Sequence, residues 1–171
     1  MLPSRPIIKK ASQLETHSSW RQFKRGWNYL EQMGASPEEM LQYTRDEAVD
    51  CFLAYAFLMM DGNLMVAPFH EIIASAFEDL AAFRYQRLIL SCAPRSGKSL
   101  LSELFISWLI GRDEITYHVL ASYGKQLSNT LSRAVFGFIR HPEFNKIFPG
   151  FAGFETGSRE NFLKGGKILS S

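Results

Sequence analysis

The residues Cys92-Ala93-Pro94-Arg95-Ser96-Gly97-Lys98-Ser99 stand between a short apolar run, Arg87 to Ser91, and a helical apolar pattern. Strand, loop, Gly-Lys-Ser, helix is the order that binding of a nucleoside triphosphate calls for. Backbone N–H groups of the loop and of the helix N-terminus are then aimed at phosphate oxygens. Gly97 lets the backbone approach closely, Lys98 supplies a point charge to the outer phosphates, and Ser99 offers a hydroxyl to Mg²⁺. The first glycine of the G-x-x-x-x-G-K-[ST] pattern is replaced by Cys92, so the tripeptide alone is unspecific and the flanking elements carry the reading. In an ordinary strand-to-helix turn Lys98 would oppose the helix dipole; a phosphate ligand removes that objection.

Other residues supply further chemistry. Arg95, inside the loop, reaches a γ-phosphate, pairs with an acid that reports on ATP, or steadies the loop at the surface, and Pro94 stiffens it. Phe69 and His70, with Gln86 nearby, offer a flat surface and an edge contact to an adenine ring; the alternative for His70 is a structural role at a helix start. Arg133 and Arg140, on a later helix, are candidates for an arginine supplied in trans to a neighbouring active site, or belong to a solvated face. Ser122-Tyr123-Gly124-Lys125 reads either as a DNA-facing element or as a helix-capping turn. His17, His70, His118 and His141 are scattered, without metal-ligand spacing. Hydrolysis also needs an acid at the end of another strand. Asp113-Glu114 precede a strand instead of ending one, so the acids that complete such a site are expected beyond residue 171.

These residues need elements to position them. Residues 1–19 read as a loose polar arm. Trp20, Phe23, Trp27 and Leu30 fall at helical spacing, and Gly34 stops that helix. Ser36-Pro37-Glu38-Glu39 is a capping box with proline at the first helical position. Thr44-Arg45-Asp46-Glu47 repeats the signal and predicts a separate apolar helix to Met60. Asp61-Gly62-Asn63 is a turn, and Pro68 begins a helix with Phe69, Ile72, Ile73, Ala76, Phe77 and Leu80 on one face. Residues 87–91 and 116–121 read as strands, each followed by a helix: one through Leu101, Leu104 and Trp108 that Gly111 caps, the other through Leu127 to Phe138. That alternation predicts a βαβ crossover and a parallel sheet. Pro142 to Phe148 reads as a short helix, and the stretch from Phe154 as a hairpin turning at Gly165-Gly166.

The chain of 171 residues has a net charge of only +2, so overall basicity does not announce nucleic acid. Its distribution is uneven. Residues 1–25 hold six Lys/Arg against one acid, residues 31–80 ten acids against one base, and residues 81–171 twelve bases against six acids. The two basic ends suit an anionic polymer better than the acidic middle does. Cys51 and Cys92 have no framework spacing and read as reduced thiols. The longest apolar run, Cys51 to Met60, is too short to span a bilayer as a helix, and no apolar stretch follows the basic N-terminus as in a signal peptide.

From about Pro68 to Ser171 the chain resembles the large terminase subunit of tailed bacteriophages, the DNA-packaging motor. Pro68-Phe69-His70, Arg87-Leu88-Ile89-Leu90 and Ala93-Pro94-Arg95-Ser96-Gly97-Lys98-Ser99 are similar to that family's proline-arginine type of phosphate loop, which often lacks the first glycine. Trp108-Leu109-Ile110-Gly111-Arg112, Leu120-Ala121-Ser122-Tyr123, Ser132-Arg133, His141-Pro142-Glu143-Phe144 and Ile147-Phe148-Pro149 resemble its next segments in order, and Gly165-Gly166 the glycine pair ahead of the acidic strand.

The resemblance implies an α/β fold of the P-loop NTPase type, a three-layer αβα arrangement with a parallel central sheet, incomplete here. A helical N-terminal region or lid would occupy residues 1–66 and the first part of the ATPase domain residues 67–171. It implies an ATPase using ATP and Mg²⁺, with Ala93 to Ser99 on the phosphates, Lys98 and Arg95 catalytic, and Ser99 on the metal. It further implies translocation of double-stranded DNA by a ring of subunits, with a portal protein and a small terminase subunit as partners, in the cytoplasm of a bacterial host and with no membrane. The acidic strand and a nuclease domain are missing from the sequence. The alternatives are a truncated non-catalytic P-loop module that binds partners or inhibits full-length rings, and another DNA-dependent P-loop motor such as a helicase.

Overall fold

The computed structural model describes residues 19–112, 118–119, 121–149, 151–156, 159–164 and 167–170. Local chemistry sets the first helices. In α1 (Ser19–Gln32) the aromatic spacing turns Phe23 inward, stacked on Trp20 at 5.0 Å and on Tyr43 at 5.6 Å. In α2 (Pro37–Ala48) the capping box forms as read. Ser36 Oγ accepts from the Glu39 N–H at 3.2 Å, and the Glu39 carboxylate accepts from the Ser36 N–H at 2.7 Å. Those bonds hold the Glu39 carboxyl below its ordinary range.

Thr44 does not start a new helix. It is buried inside α2, and its hydroxyl donates back to the Met40 carbonyl at 2.8 Å, so the residue that reads as a cap satisfies itself in mid-helix. The break falls later, at residues 49–51, before α3 (Phe52–Met59). Cys51, the residue ahead of α3, gives no side-chain cap. Glu78, from α4 (Pro68–Ala81), substitutes by accepting from the Phe52 N–H at 2.9 Å. Ser19 Oγ donates to the same carboxylate at 2.7 Å, which ties the start of α1 to α4. Burial pushes the Glu78 carboxyl upward against these bonds. The remaining helices are α5 (Lys98–Arg112), α6 (Lys125–Ile139) and α7 (Pro142–Ile147).

Helix α3 is apolar all round and therefore central. It packs on α1, α2, α4, α5 and α7. Phe52 meets Phe77, Phe105 and Trp108 edge-on at 5.4, 5.9 and 5.7 Å, each such pair adding about 0.5–1.5 kcal/mol beyond its area burial. Several polar atoms of the core are paired, while the buried Ser75 Oγ has no hydrogen-bond partner among the described residues. The Tyr55 hydroxyl shares a 2.7 Å hydrogen bond with Ser107, and Trp108 Nε1 donates to the Ala48 carbonyl at 2.9 Å. A bidentate pair joins Arg45 of α2 to Glu143 of α7, at 2.6 and 3.0 Å. One hydrophobic cluster takes in Phe23 and Phe52 together with Phe77, Leu104, Trp108, Val135 and Phe144, so residues on both sides of position 66 share a core.

The expected three-layer α/β arrangement is not what the described residues form. They contain no parallel sheet. Their one sheet is an antiparallel meander of β1 (Phe151–Thr156), β2 (Arg159–Lys164) and β3 (Lys167–Ser170), in that order. Residues 87–93 have no regular secondary structure and join no ladder. Their alternation is met otherwise: Leu88, Leu90 and Cys92 pack against the helical core while Ile89 is 83% exposed. A pattern that fits a half-buried pleat is satisfied here by helices on one side and solvent on the other. In the second expected strand, His118, Val119 and Ala121 belong to no strand, and Thr116, Tyr117 and Leu120 lie outside the described residues.

Gly111 also differs from its reading. It does not cap α5 but lies within it, buried against the Phe148 ring. Lys164 pairs with Lys167; the Gly165-Gly166 turn between them, the arm before Ser19, and Asp113-Glu114 lie outside the described residues. No helix among the described residues is long and apolar enough to cross a membrane.

Candidate phosphate-binding site

The segment 87–93 leads into a turn whose Ser96 N–H donates to the Ala93 carbonyl at 3.3 Å. Arg95 and Gly97 both adopt left-handed backbone, with φ of 62° and 76°. For glycine this conformation carries no side-chain penalty. For arginine it is strained by about 1–3 kcal/mol and persists only where surroundings enforce it. Ser96 lies between the two. Its Oγ is buried and has no hydrogen-bond partner among the described residues, an arrangement uncommon enough in folded proteins to call for a cause.

Helix α5 starts at Lys98, and its first backbone bond runs from the Leu101 N–H to the Gly97 carbonyl at 2.9 Å. The N–H groups of residues 98–100 are therefore without intrahelical acceptors. The first turn holds no acidic side chain. Lys98, Ser99 and Arg95 are exposed, and neither cation takes part in an ion pair among the described residues. Two side-chain charges, a helix N-terminus and a desolvated hydroxyl thus fall in one short stretch with no ion-pair partner for either cation among the described residues, an arrangement that suits an anion.

Beside this turn lies an open pocket of about 290 Å³. Lys98, Ser99, Ser102, Glu103 and Ile106 of α5 line it together with Leu90 and with Leu131 of α6. Partial burial raises the Glu103 carboxyl above its ordinary value. Glu103 was not among the residues expected to matter; its position one helical turn beyond Ser99 is the signal that places both on one face.

The structure brings only some of the other candidates to this place. His70 reaches the loop: its Nε2 is 3.4 Å from the Ser96 carbonyl oxygen, and its Nδ1 accepts from the Ala67 N–H at 3.0 Å. Phe69 is 42% exposed and packs its ring 3.9 Å from the imidazole. Arg133, on α6, and Arg140, just past its end, are exposed, and neither lines the pocket. Ser122-Tyr123-Gly124-Lys125 is the entry turn of α6: Ser122 Oγ donates to the Gly124 carbonyl at 2.9 Å, and the helix starts at Lys125. Among the described residues no group of three or more His, Cys, Asp or Glu is placed to hold a metal ion. The chain matches no protein-family model, no curated protein and no solved structure.

Proposed function

We propose that the chain binds ATP·Mg²⁺ through Ala93 to Ser99 and is the nucleotide-binding part of a viral genome-packaging terminase. In such a motor, ATP hydrolysis drives double-stranded DNA into a procapsid, with a portal protein and a small terminase subunit as partners in the bacterial cytoplasm. The observation that carries the reading is the bracketing of Ser96. Two left-handed residues bracket a hydroxyl that is buried and has no partner among the described residues, next in sequence to the first N–H groups of α5, a local excess of donors that suits a phosphate group. Lys98 then neutralises the outer phosphates, and Arg95 answers the γ-phosphate. Ser99 fits the role of a protein oxygen on Mg²⁺, which commonly arrives held by substrate phosphates and water and needs few protein ligands. The metal would neutralise phosphate charge. The order of segments after the loop, from Trp108-Leu109-Ile110-Gly111-Arg112 onward, supports a packaging motor over other nucleotide-binding proteins.

Titration calorimetry with ATP and Mg²⁺ tests this. The chain is expected to bind, and Lys98→Ala to weaken binding at least about tenfold, about 1.4 kcal/mol or more. Absence of binding by the unmodified chain, equal binding by Lys98→Ala, or brisk ATP turnover that survives this substitution overturns the assignment.

A further inference from the structure

The imidazole of His70 faces two backbones at once. Its Nδ1 accepts from the Ala67 N–H at 3.0 Å, closing the first turn of α4. A nitrogen that accepts carries no proton, so in the neutral ring the proton is on Nε2. Nε2 is 3.4 Å from the Ser96 carbonyl oxygen and is therefore the donor of that bond. The contact spans 26 residues of sequence and joins the start of α4 to the residue between the two left-handed positions, Arg95 and Gly97.

From this geometry we propose that His70 is a positioning residue, which holds the loop at Ser96–Gly97 in its left-handed form. The role rests on the reading of Ala93 to Ser99 as a phosphate site. The peptide between Ser96 and Gly97 is planar and trans, so its carbonyl and its N–H point in opposite directions. Tethering the carbonyl to His70 turns the Gly97 N–H away from the ring. The ring itself is fixed, with Phe69 packed 3.9 Å away at an interplanar angle of 53°. It also stands close to Gly97, where an added Cβ would lie 4.0 Å from Nε2. With both nitrogens engaged, the ring has no nitrogen left to read the edge of a base. Its contribution to nucleotide binding is to pre-order the loop, which lowers the ordering cost of binding.

His70→Asn separates the two halves of this role. The asparagine oxygen still accepts from the Ala67 N–H, but the side chain is too short to reach Ser96. In hydrogen exchange on the ligand-free chain, the segment 94–99 is expected to exchange about 5–10-fold faster in the variant, with α4 unchanged. Affinity for ATP·Mg²⁺ is expected to fall about 3–10-fold. Unchanged exchange in 94–99 overturns the positioning role whatever the nucleotide result. Faster exchange throughout α4 also overturns it, because the histidine then serves the helix alone. Faster exchange confined to 94–99, in a chain that binds no nucleotide before or after substitution, upholds the tether and overturns the phosphate-site reading instead.

Discussion

The two ends of α5 are built for opposite purposes. Toward its C-terminal end, Leu104, Phe105, Trp108 and Gly111 are buried, and Arg112 lies over the Trp108 ring at 4.4 Å. Toward its N-terminal end, Lys98 and Ser99 are exposed behind a strained loop with an unpaired hydroxyl. One end is satisfied by its neighbours; the other leaves cations and backbone donors without partners among the described residues. A single helix joins them, so the packed end holds the unsatisfied end in place. Residues mounted in this way can meet a ligand without being needed for folding.

The largest effect belongs at the packed end. Trp108→Ala removes a fully buried ring and strands the Ala48 carbonyl that it satisfied. The expected cost is about 3–5 kcal/mol, read as a fall in denaturant midpoint; a loss below about 1 kcal/mol would dissolve the contrast. Gly111→Ala should come next, at about 1–3 kcal/mol. A Cβ there collides with the Phe148 ring. That ring has little room to move, being boxed in by Phe144 at 5.3 Å and Tyr55 at 5.9 Å. Thermal melts of the variant measure the effect.

The same contrast explains what the sequence made legible. Helix starts depend on a few adjacent residues. Ser36-Pro37-Glu38-Glu39 and Pro68 therefore read correctly as helix starts, and of the apolar face read after Pro68 the residues Ile73, Ala76 and Phe77 are buried while Phe69 is exposed. The error at Thr44 shows the limit, since the same cap chemistry works inside a helix when the hydroxyl turns back to the Met40 carbonyl. The strand reading at residues 87–91 failed for a different reason, whereas the late hairpin reading matches the antiparallel pairing of β2 with β3. Alternation at residues 87–91 reports a segment with one side against the core, but a sheet also requires a neighbour to share the ladder, and local sequence does not supply one. Gly111 reads alike as a stop or as a packing notch until Phe148, far along the chain, is placed against it. At the candidate site the loop residues and His70 were visible, while the tether between His70 and Ser96 depends on a fold that brings α4 to the loop.

A third effect, of about 1–2 kcal/mol, is expected from Glu143→Gln on the scaffold side. Hydrogen bonds from Arg45, reinforced by Lys146, hold the Glu143 carboxyl down to about 2. A carboxyl lowered by folding adds stability above its unfolded value, near about 4.3, and loses it as pH falls toward the folded value. The unmodified chain should therefore lose its advantage over Glu143→Gln between about pH 4.5 and about pH 2. Glu78 acts in the opposite sense, because burial raises it and its contribution falls as pH climbs from its ordinary range. The difference between the two chains cancels Glu78 and isolates Glu143. A difference that stays constant with pH would show that the Arg45 pair does not anchor α7 to α2 through its charge.

The smallest effect on stability is expected at the other end of α5. Lys98 is exposed and sits where the helix dipole disfavours a cation, so Lys98→Ala should change unfolding free energy by no more than about 0.5 kcal/mol, with the dipole favouring the variant. Ligand reverses the ranking. A nucleotide present at about 100 times its dissociation constant stabilises the folded chain by about 2.7 kcal/mol, which the unmodified protein should show as a higher melting temperature and Lys98→Ala should not. Paired melts with and without ATP·Mg²⁺ read both quantities in one experiment. A Lys98→Ala chain that melts well below the unmodified one in the absence of nucleotide would place Lys98 among the residues that hold the fold. The separation of packing from ligand binding along α5 would then fail at the residue on which it most depends.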